Sequence, residues 1–176
     1  MKIPLDEIRE VPRTVAYVEP SAPLNRELAR GAGDFEVLDG LAVDVTHHRA
    51  GLDVFLEGTV HGELRGICAR CLGELRLPLD APLALVLVPA SVMSAPGGAV
   101  REEEIGLAAY EGDEIDLTPL VHEQALLALP TRALCSESCR GLCPRCGANL
   151  NAGPCACPAP VADGRLAVLQ TMLRSR

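Results

Sequence analysis

The sequence predicts an α+β protein: a curved or partly closed antiparallel β-meander, a helix packed across it, and a cysteine-rich zinc module that ends in a short C-terminal helix. Three observations carry this reading. Apolar residues alternate with period two between about Asp34 and Pro89. The period then changes to three and four over Asp116 to Leu129, and eight cysteines fall in four close pairs. The 176 residues suit one domain with a small appended module, and 48% are apolar, enough for a core. With only two Tyr and two Phe and no Trp, that core is built from Leu, Val and Ala.

Residues 1–19 mix apolar and charged groups without a clear period and read as a strand with a turn. Residues 20–33, punctuated by Pro20, Pro23, Gly31 and Gly33, read as a mobile loop. In the meander, Leu41, Val43 and Val45 form one set, followed by Leu52, Val54 and Leu56. Further on come Leu75, Leu77 and Leu79, then Leu83, Leu85 and Leu87. Such alternation places one set of side chains on a single face, as a half-buried strand requires. Arg49-Ala50-Gly51 and Leu72-Gly73 suit turns, giving three to five strands.

Residues 90–115 contain Pro96-Gly97-Gly98 and Glu102-Glu103-Glu104, a composition that buries too little surface to offset chain entropy, so an acidic disordered loop is expected. From Asp116, the positions Leu117, Leu120, Val121, Leu127 and Ala128 line one face of a helix, with Pro119 in its first turn and Pro130 beyond its end. A last helix, roughly Asp163 to Arg174, aligns Leu166, Leu169 and Leu173, with Asp163 as its cap. The organisation is thus a β core with its helix over 1–130 and a cysteine-rich segment with the final helix over 131–176.

No apolar run reaches the length that spans a bilayer, roughly 18–20 residues, and the opening Met1 to Glu7 has no apolar signal core. A cytoplasmic protein without membrane contact is expected. In that reducing compartment eight cysteines point to metal rather than disulfides. They fall as Cys68/Cys71, Cys135/Cys139, Cys143/Cys146 and Cys155/Cys157. Two cysteines separated by two residues can turn both thiolates to one metal, and structural zinc takes four such ligands in a tetrahedron with no open position. One or two zinc ions are expected. The Gly- and Asn-rich stretch 147–154 lets Cys143/Cys146 close locally with Cys155/Cys157. Cys68/Cys71 from the sheet would then join Cys135/Cys139. The rival is a ribbon-like site of Cys68, Cys71, Cys143 and Cys146. Cys68/Cys71 alone would also suit a redox dithiol, but that chemistry needs a βαβ context and the pair lies within strands, flanked by Gly66 and Gly73.

The formal charge of −8 is uneven. Residues 1–100 carry 14 acids and 9 bases, net −5; residues 101–124 carry 8 acids and Arg101, net −7; residues 125–176 carry 2 acids and 6 arginines, net +4. A polyanion would therefore meet the C-terminal end, where Arg132, Arg140, Arg145, Arg165, Arg174 and Arg176 are the candidate phosphate contacts. Arg70, Arg140 and Arg145 also sit beside cysteines, where they either offset the charge of about −2 that four thiolates and one dication leave or contact phosphate. His47, His48, His61 and His122 have no metal-ligand spacing and read as packing or surface residues. Ser136 and Ser138 read as local backbone partners. No nucleophile-base arrangement, phosphate loop or carboxylate pair is evident, so no catalytic residue is assigned.

Three stretches resemble the YceD family: Gly112-Asp113-Glu114-Ile115-Asp116-Leu117, the helix end Leu126 to Pro130, and above all Leu134 to Asn151 with its Cys143-Pro144-Arg145-Cys146-Gly147. Cys68-Ala69-Arg70-Cys71-Leu72 and Arg165 to Leu169 extend the likeness over most of the chain. The resemblance implies a non-enzymatic role in accumulation of large-subunit ribosomal RNA, through its processing or through ribosome assembly. The implied partners are ribosomal RNA precursor or a large-subunit ribosomal protein, with no small-molecule substrate. With so few aromatics to stack bases, any RNA contact would rest on phosphate and shape. The reading from a different class is a thiol redox sensor or zinc-responsive regulator.

Overall fold

The computed structural model describes residues 1–93 and 106–158. Strands β1 (Lys2–Pro4), β2 (Arg13–Pro20), β3 (Phe35–Val37), β4 (Gly40–Ala50), β5 (Asp53–Ile67), β6 (Glu74–Pro89), β7 (Leu107–Tyr110) and β8 (Glu114–Asp116) accompany helices α1 (Ser21–Gly31) and α2 (Leu117–Leu127). The main sheet runs β2-β4-β5-β6-β7, with β3 also on β5, while β1 and β8 form a separate pair. All described pairings are antiparallel except β6 with β7. The sheet is open: β2 and β7 do not pair with each other among the described residues.

The period-two pattern produces the expected burial. Leu41, Val43 and Val45 of β4, Val54, Leu56, Val60 and Leu64 of β5, and Leu79, Ala81, Leu83 and Leu87 of β6 form one aliphatic core. Leu52 is the exception, exposed in the turn before β5. The two leucine sets of β6 lie on one strand of 16 residues. Pro78 and Pro82 interrupt neither pairing, because that part of β6 has β5 as its sole neighbour among the described strands; a proline there forfeits no ladder bond on its open side. Gly58 allows β5 to curve under β4: a Cβ at that position would lie 2.0 Å from the Asp44 carbonyl oxygen.

Two expectations are corrected. Residues 20–33 are not a loop: α1 spans Ser21–Gly31 and buries Leu24 and Leu28, one turn apart, against the sheet. Pro20 is its N-cap and Pro23 lies in its first turn, where the missing N–H costs nothing. Asn25 then ties the helix to β3, donating to the Val37 carbonyl at 2.9 Å and accepting from the Val37 N–H at 2.8 Å. Residues 90–115 are not one loop either, since they include a 3-10 turn at Ala90–Val92, all of β7, and the start of β8. The acids Glu102 to Glu104 lie outside the described residues, as does the expected helix over Asp163 to Arg174.

Asp116 caps α2, its carboxylate accepting from the Thr118 N–H at 3.0 Å. The helix buries Leu117, Val121 and Ala125 in the same core as the sheet. No described helix is long and apolar enough to cross a membrane. Between α2 and residue 158 the described residues have almost no regular structure, only a bridge between Leu142 and Asn149. It is organised by cysteines.

Candidate metal centres

Each Cys-x-x-Cys pair adopts the same tight turn. In the first, the Cys68 N–H donates to the Gly73 carbonyl and the Leu72 N–H to the Cys68 carbonyl, both at 2.9 Å. In the second, the Cys143 N–H donates to the Ala148 carbonyl at 2.8 Å and the Gly147 N–H to the Cys143 carbonyl at 2.9 Å. The residue after the second cysteine is left-handed in both, with φ of 57° at Leu72 and 71° at Gly147. Glycine takes that conformation freely and leucine does not. The first pair is therefore not within strands, as its flanking residues implied. It forms the tip of the hairpin between β5, ending at Ile67, and β6, starting at Glu74.

The segment after α2 folds onto this tip. The Ala69 N–H donates to the Ala133 carbonyl at 2.9 Å, and the Leu142 N–H to the Arg70 carbonyl at 3.1 Å. The Arg70 guanidinium clamps the intervening loop, donating to the carbonyls of Glu137 at 2.9 Å and Cys139 at 2.8 Å. Arg70 is thus a structural residue, committed to backbone rather than presented to a polyanion.

Two groups of four thiols result: Cys68, Cys71, Cys135 and Cys139, and Cys143, Cys146, Cys155 and Cys157, the sulfurs of each group all within 4.8 Å of one another. The ribbon-like alternative of Cys68, Cys71, Cys143 and Cys146 does not form. In the first cluster Cys68 lies 3.8 Å from Cys139 and Cys71 3.7 Å from Cys135, sulfur to sulfur. A disulfide would bring them to about 2.05 Å. Four sulfurs at about 2.3 Å from a central ion stand roughly 3.8 Å apart along the edges of a tetrahedron. The donor set and its spacing therefore fit a soft four-coordinate ion. Three sulfurs of the first cluster are enclosed, with Cys68, Cys71 and Cys139 buried against Leu75, Leu134 and Leu142, while Cys135 is exposed. The second is more open: Cys143 is buried, Cys155 and Cys157 are half-buried, and Cys146 is exposed.

Hydrogen bonds prepare the thiols unequally. The N–H groups of Cys135, Cys71 and Arg70 converge on the Cys68 sulfur and hold its pKa down at about 6. The N–H groups of Cys146 and Arg145, with the Cys155 thiol, do the same for Cys143, also about 6. The Asn151 side-chain amide, at 3.3 Å, is the main cause that lowers the Cys139 pKa. Cys135, sharing protons with Cys139, Cys71 and Cys68, is pushed up to about 12, and Cys157, beside Cys146 and Cys143, likewise to about 12. Without a cation Cys68 and Cys143 ionise readily while Cys135 and Cys157 resist, a resistance that a bound dication reverses.

The remaining candidates separate by position. Arg132, Arg140 and Arg145 are exposed on the segment that carries the clusters. Arg165, Arg174 and Arg176 lie outside the described residues. The histidines join neither cluster: His48 stacks on Phe55 at 4.9 Å, His61 meets Asp80 at 2.7 Å, and His122 lies buried between Glu19 and Glu27. His47 is buried with its Nδ1 unpartnered. Ser136 and Ser138 approach each other at 3.3 Å, and the Ser136 carbonyl accepts from the Cys139 N–H at 3.1 Å. Asn151 and Leu72 are the residues that sequence reasoning missed. Asn151 was visible only as a turn former between cysteine pairs, and Leu72 only as a turn position.

Comparisons with known proteins bear on the same segment. A family model described as large ribosomal RNA subunit accumulation protein YceD matches residues 56–173, a stretch that holds all eight cysteines. An uncharacterised protein of Mycobacterium tuberculosis strain H37Rv is 36% identical over 101 residues, covering 57% of this chain and 47% of that protein. A Zea mays protein named large ribosomal RNA subunit accumulation protein YCED homolog 1, chloroplastic, is 30% identical over 141 residues, covering 66% of this chain and 47% of that protein. The chain thus spans about half the length of these curated relatives. No solved structure matches it.

Proposed function

Because this chain belongs to the YceD family, we propose that it is a non-enzymatic factor that supports accumulation of large-subunit ribosomal RNA, using two structural zinc ions to shape a docking surface for precursor RNA. The observation that carries the reading is the coincidence of the family match with the two four-thiol clusters. Four protein ligands per ion leave no coordination position for a substrate, so zinc here would be structural. The described residues after α2 have hardly any hydrogen-bonded secondary structure of their own. Metal binding supplies the free energy that orders it, and Arg132, Arg140 and Arg145 are then presented from a fixed frame.

With no Phe, Tyr or Trp between residues 111 and 176, recognition would be electrostatic and shape-based, with phosphate oxygens as acceptors and little base preference. The test is binding of the full chain to precursor of the large ribosomal RNA across a salt series. Replacing Arg132, Arg140 and Arg145 together with Gln should weaken binding and flatten the salt slope by about 3, one for each phosphate that is no longer neutralised. Unchanged binding with unchanged zinc content would move the RNA contact off these arginines, and failure of the unaltered chain to bind would replace RNA by a large-subunit ribosomal protein as partner.

A second reading, thiol-based or zinc-responsive regulation, is favoured by the exposure of Cys146 and the partial exposure of Cys155 and Cys157. It requires reversible zinc release under mild oxidant to change RNA or protein binding. Full binding by the oxidised, zinc-depleted protein would eliminate it.

A further inference from the structure

We propose that Asn151 couples the two metal centres, so that metal in the second cluster raises the affinity of the first. The inference rests on the reading that both clusters hold metal. Asn151 lies in the loop between Cys146 and Cys155, yet its side chain serves the other cluster. Its Nδ2 donates to the Cys139 Sγ at 3.3 Å, and its Oδ1 accepts from the Arg140 N–H at 2.7 Å. Further hydrogen bonds hold the loop in that position. The Asn151 N–H donates to Asn149 Oδ1 at 2.9 Å, the Leu150 N–H donates to the Gly141 carbonyl at 2.9 Å, and Leu142 bridges Asn149.

Residues 147–154 have no buried side chain to order them. The loop's few hydrogen bonds offset its conformational entropy only in part, and gathering the cysteines at both ends on one ion supplies the rest. With the second cluster empty, the loop frays and the amide of Asn151 leaves the sulfur of Cys139. An outer hydrogen bond of this kind orients a ligand and tunes its donor strength, and its loss typically costs about 10- to 100-fold in metal affinity. Coupling of this kind is reciprocal, so metal in the first cluster raises the affinity of the second by the same factor. Asn151 is a positioning residue: it touches a ligand and never the ion.

The experiment uses the full chain, stripped of metal under reducing conditions and titrated with Zn2+. Alkylation of Cys68 and Cys71, read by mass spectrometry, reports filling of the first cluster separately from the second. The titration is run with the second cluster intact and disabled (C146S/C157S), each with Asn151 and with Asn151→Asp. The aspartate keeps the acceptor for the Arg140 N–H and removes the donor to Cys139.

With Asn151 present, disabling the second cluster should raise the zinc concentration that protects Cys68 and Cys71 at least tenfold. With Asn151→Asp, that concentration should be the same in both backgrounds. In the protein loaded with two Co2+ ions, Asn151→Asp should also move the sulfur-to-metal charge-transfer band to lower energy, which a loss of fold alone would not do. Equal protection of Cys68 and Cys71 whether the second cluster is intact or disabled, or full coupling in Asn151→Asp, overturns the inference and leaves the metal reading standing. Failure of the unaltered protein to take up any zinc overturns the metal reading itself.

Discussion

Cys68 and Cys139 stand 3.8 Å apart, sulfur to sulfur, although 71 positions separate them in the chain. Between them run β6, β7, β8 and α2, so this approach closes the C-terminal segment back onto the hairpin tip of the sheet. Its stability consequence is direct. Cys68→Ser should reduce zinc content from two ions to one and release residues 131–142 from the tip. A structural zinc site contributes on the order of 10 kcal/mol or more, against roughly 5–15 kcal/mol for a whole domain. Amide hydrogen exchange should therefore become fast across the segment after α2, while β4, β5 and the inner part of β6 keep their protection. Native protection in that segment with one zinc lost would show that the first cluster is not what holds it.

A local contrast follows from the two matching turns. Leu72 occupies with φ of 57° the position that Gly147 occupies with φ of 71°. Leu72 is also 66% exposed, so its side chain adds little burial to offset the strain. Leu72→Gly should stabilise the protein by up to about 1 kcal/mol, whereas Gly147→Ala should cost about 1 kcal/mol and loosen the second cluster. Thermal melts of the two zinc-loaded variants check the pair; shifts of the same sign would contradict the shared geometry.

Some of this was legible in the sequence and some was not, for identifiable reasons. Leu41, Val43, Val45, Val54 and Leu56 announced their strands because one face of each is buried and the other is not. The second cluster was legible because Cys146 and Cys155 are joined by a short run of turn formers. The first stayed open between two partner sets, because spacing along the chain says nothing about which distant pair the sheet brings near. Helix α1 was hidden by Pro20 and Pro23, which read as breakers but occupy the N-cap and first turn. The signal that could have revealed it is the spacing of Leu24 and Leu28. The role of Arg70 was not legible either: its fork is committed to two carbonyls that only the tertiary fold brings within reach.

His47 makes the stability depend on pH. It faces the core of β4, only 3% exposed, and its Nδ1 has no partner. Burial is the main cause that lowers its pKa, the Arg13 charge adds to this, and Glu7 opposes it. The fold thus prefers the neutral ring. Its contribution is fully present above the ordinary histidine value of about 6.5 and is lost as pH falls through the lower folded value. His47→Leu should remove this loss and, by replacing an unpaired buried polar atom, add about 1 kcal/mol at neutral pH. Melts of both proteins from pH 7.5 to 5.5 give the difference; parallel curves would mean that His47 does not titrate with unfolding.

Unequal exposure of the two clusters sets the order in which they fail under oxidant. Attack on a metal-bound thiolate requires access to sulfur. Each cluster has one exposed sulfur, Cys135 in the first and Cys146 in the second, but Cys68, Cys71 and Cys139 of the first are buried whereas Cys155 and Cys157 of the second are half-buried. With three accessible sulfurs against one, limiting peroxide should empty the second cluster first and release zinc in two phases, the ion of the first cluster leaving later. Coupling through Asn151 does not erase this order. A tenfold loss of affinity is about 1.4 kcal/mol, small beside the on the order of 10 kcal/mol that binds a structural ion, so the first cluster stays loaded after the second is emptied. Mass spectrometry of the alkylated protein, read alongside a chromogenic zinc assay, follows both events in one sample. Release of both ions in a single phase, with Cys68 and Cys139 oxidised as early as Cys146, would mean that the buried cluster opens as fast as the exposed one, and the segment would then be held far less firmly than its hydrogen bonds to Arg70 and Ala69 require.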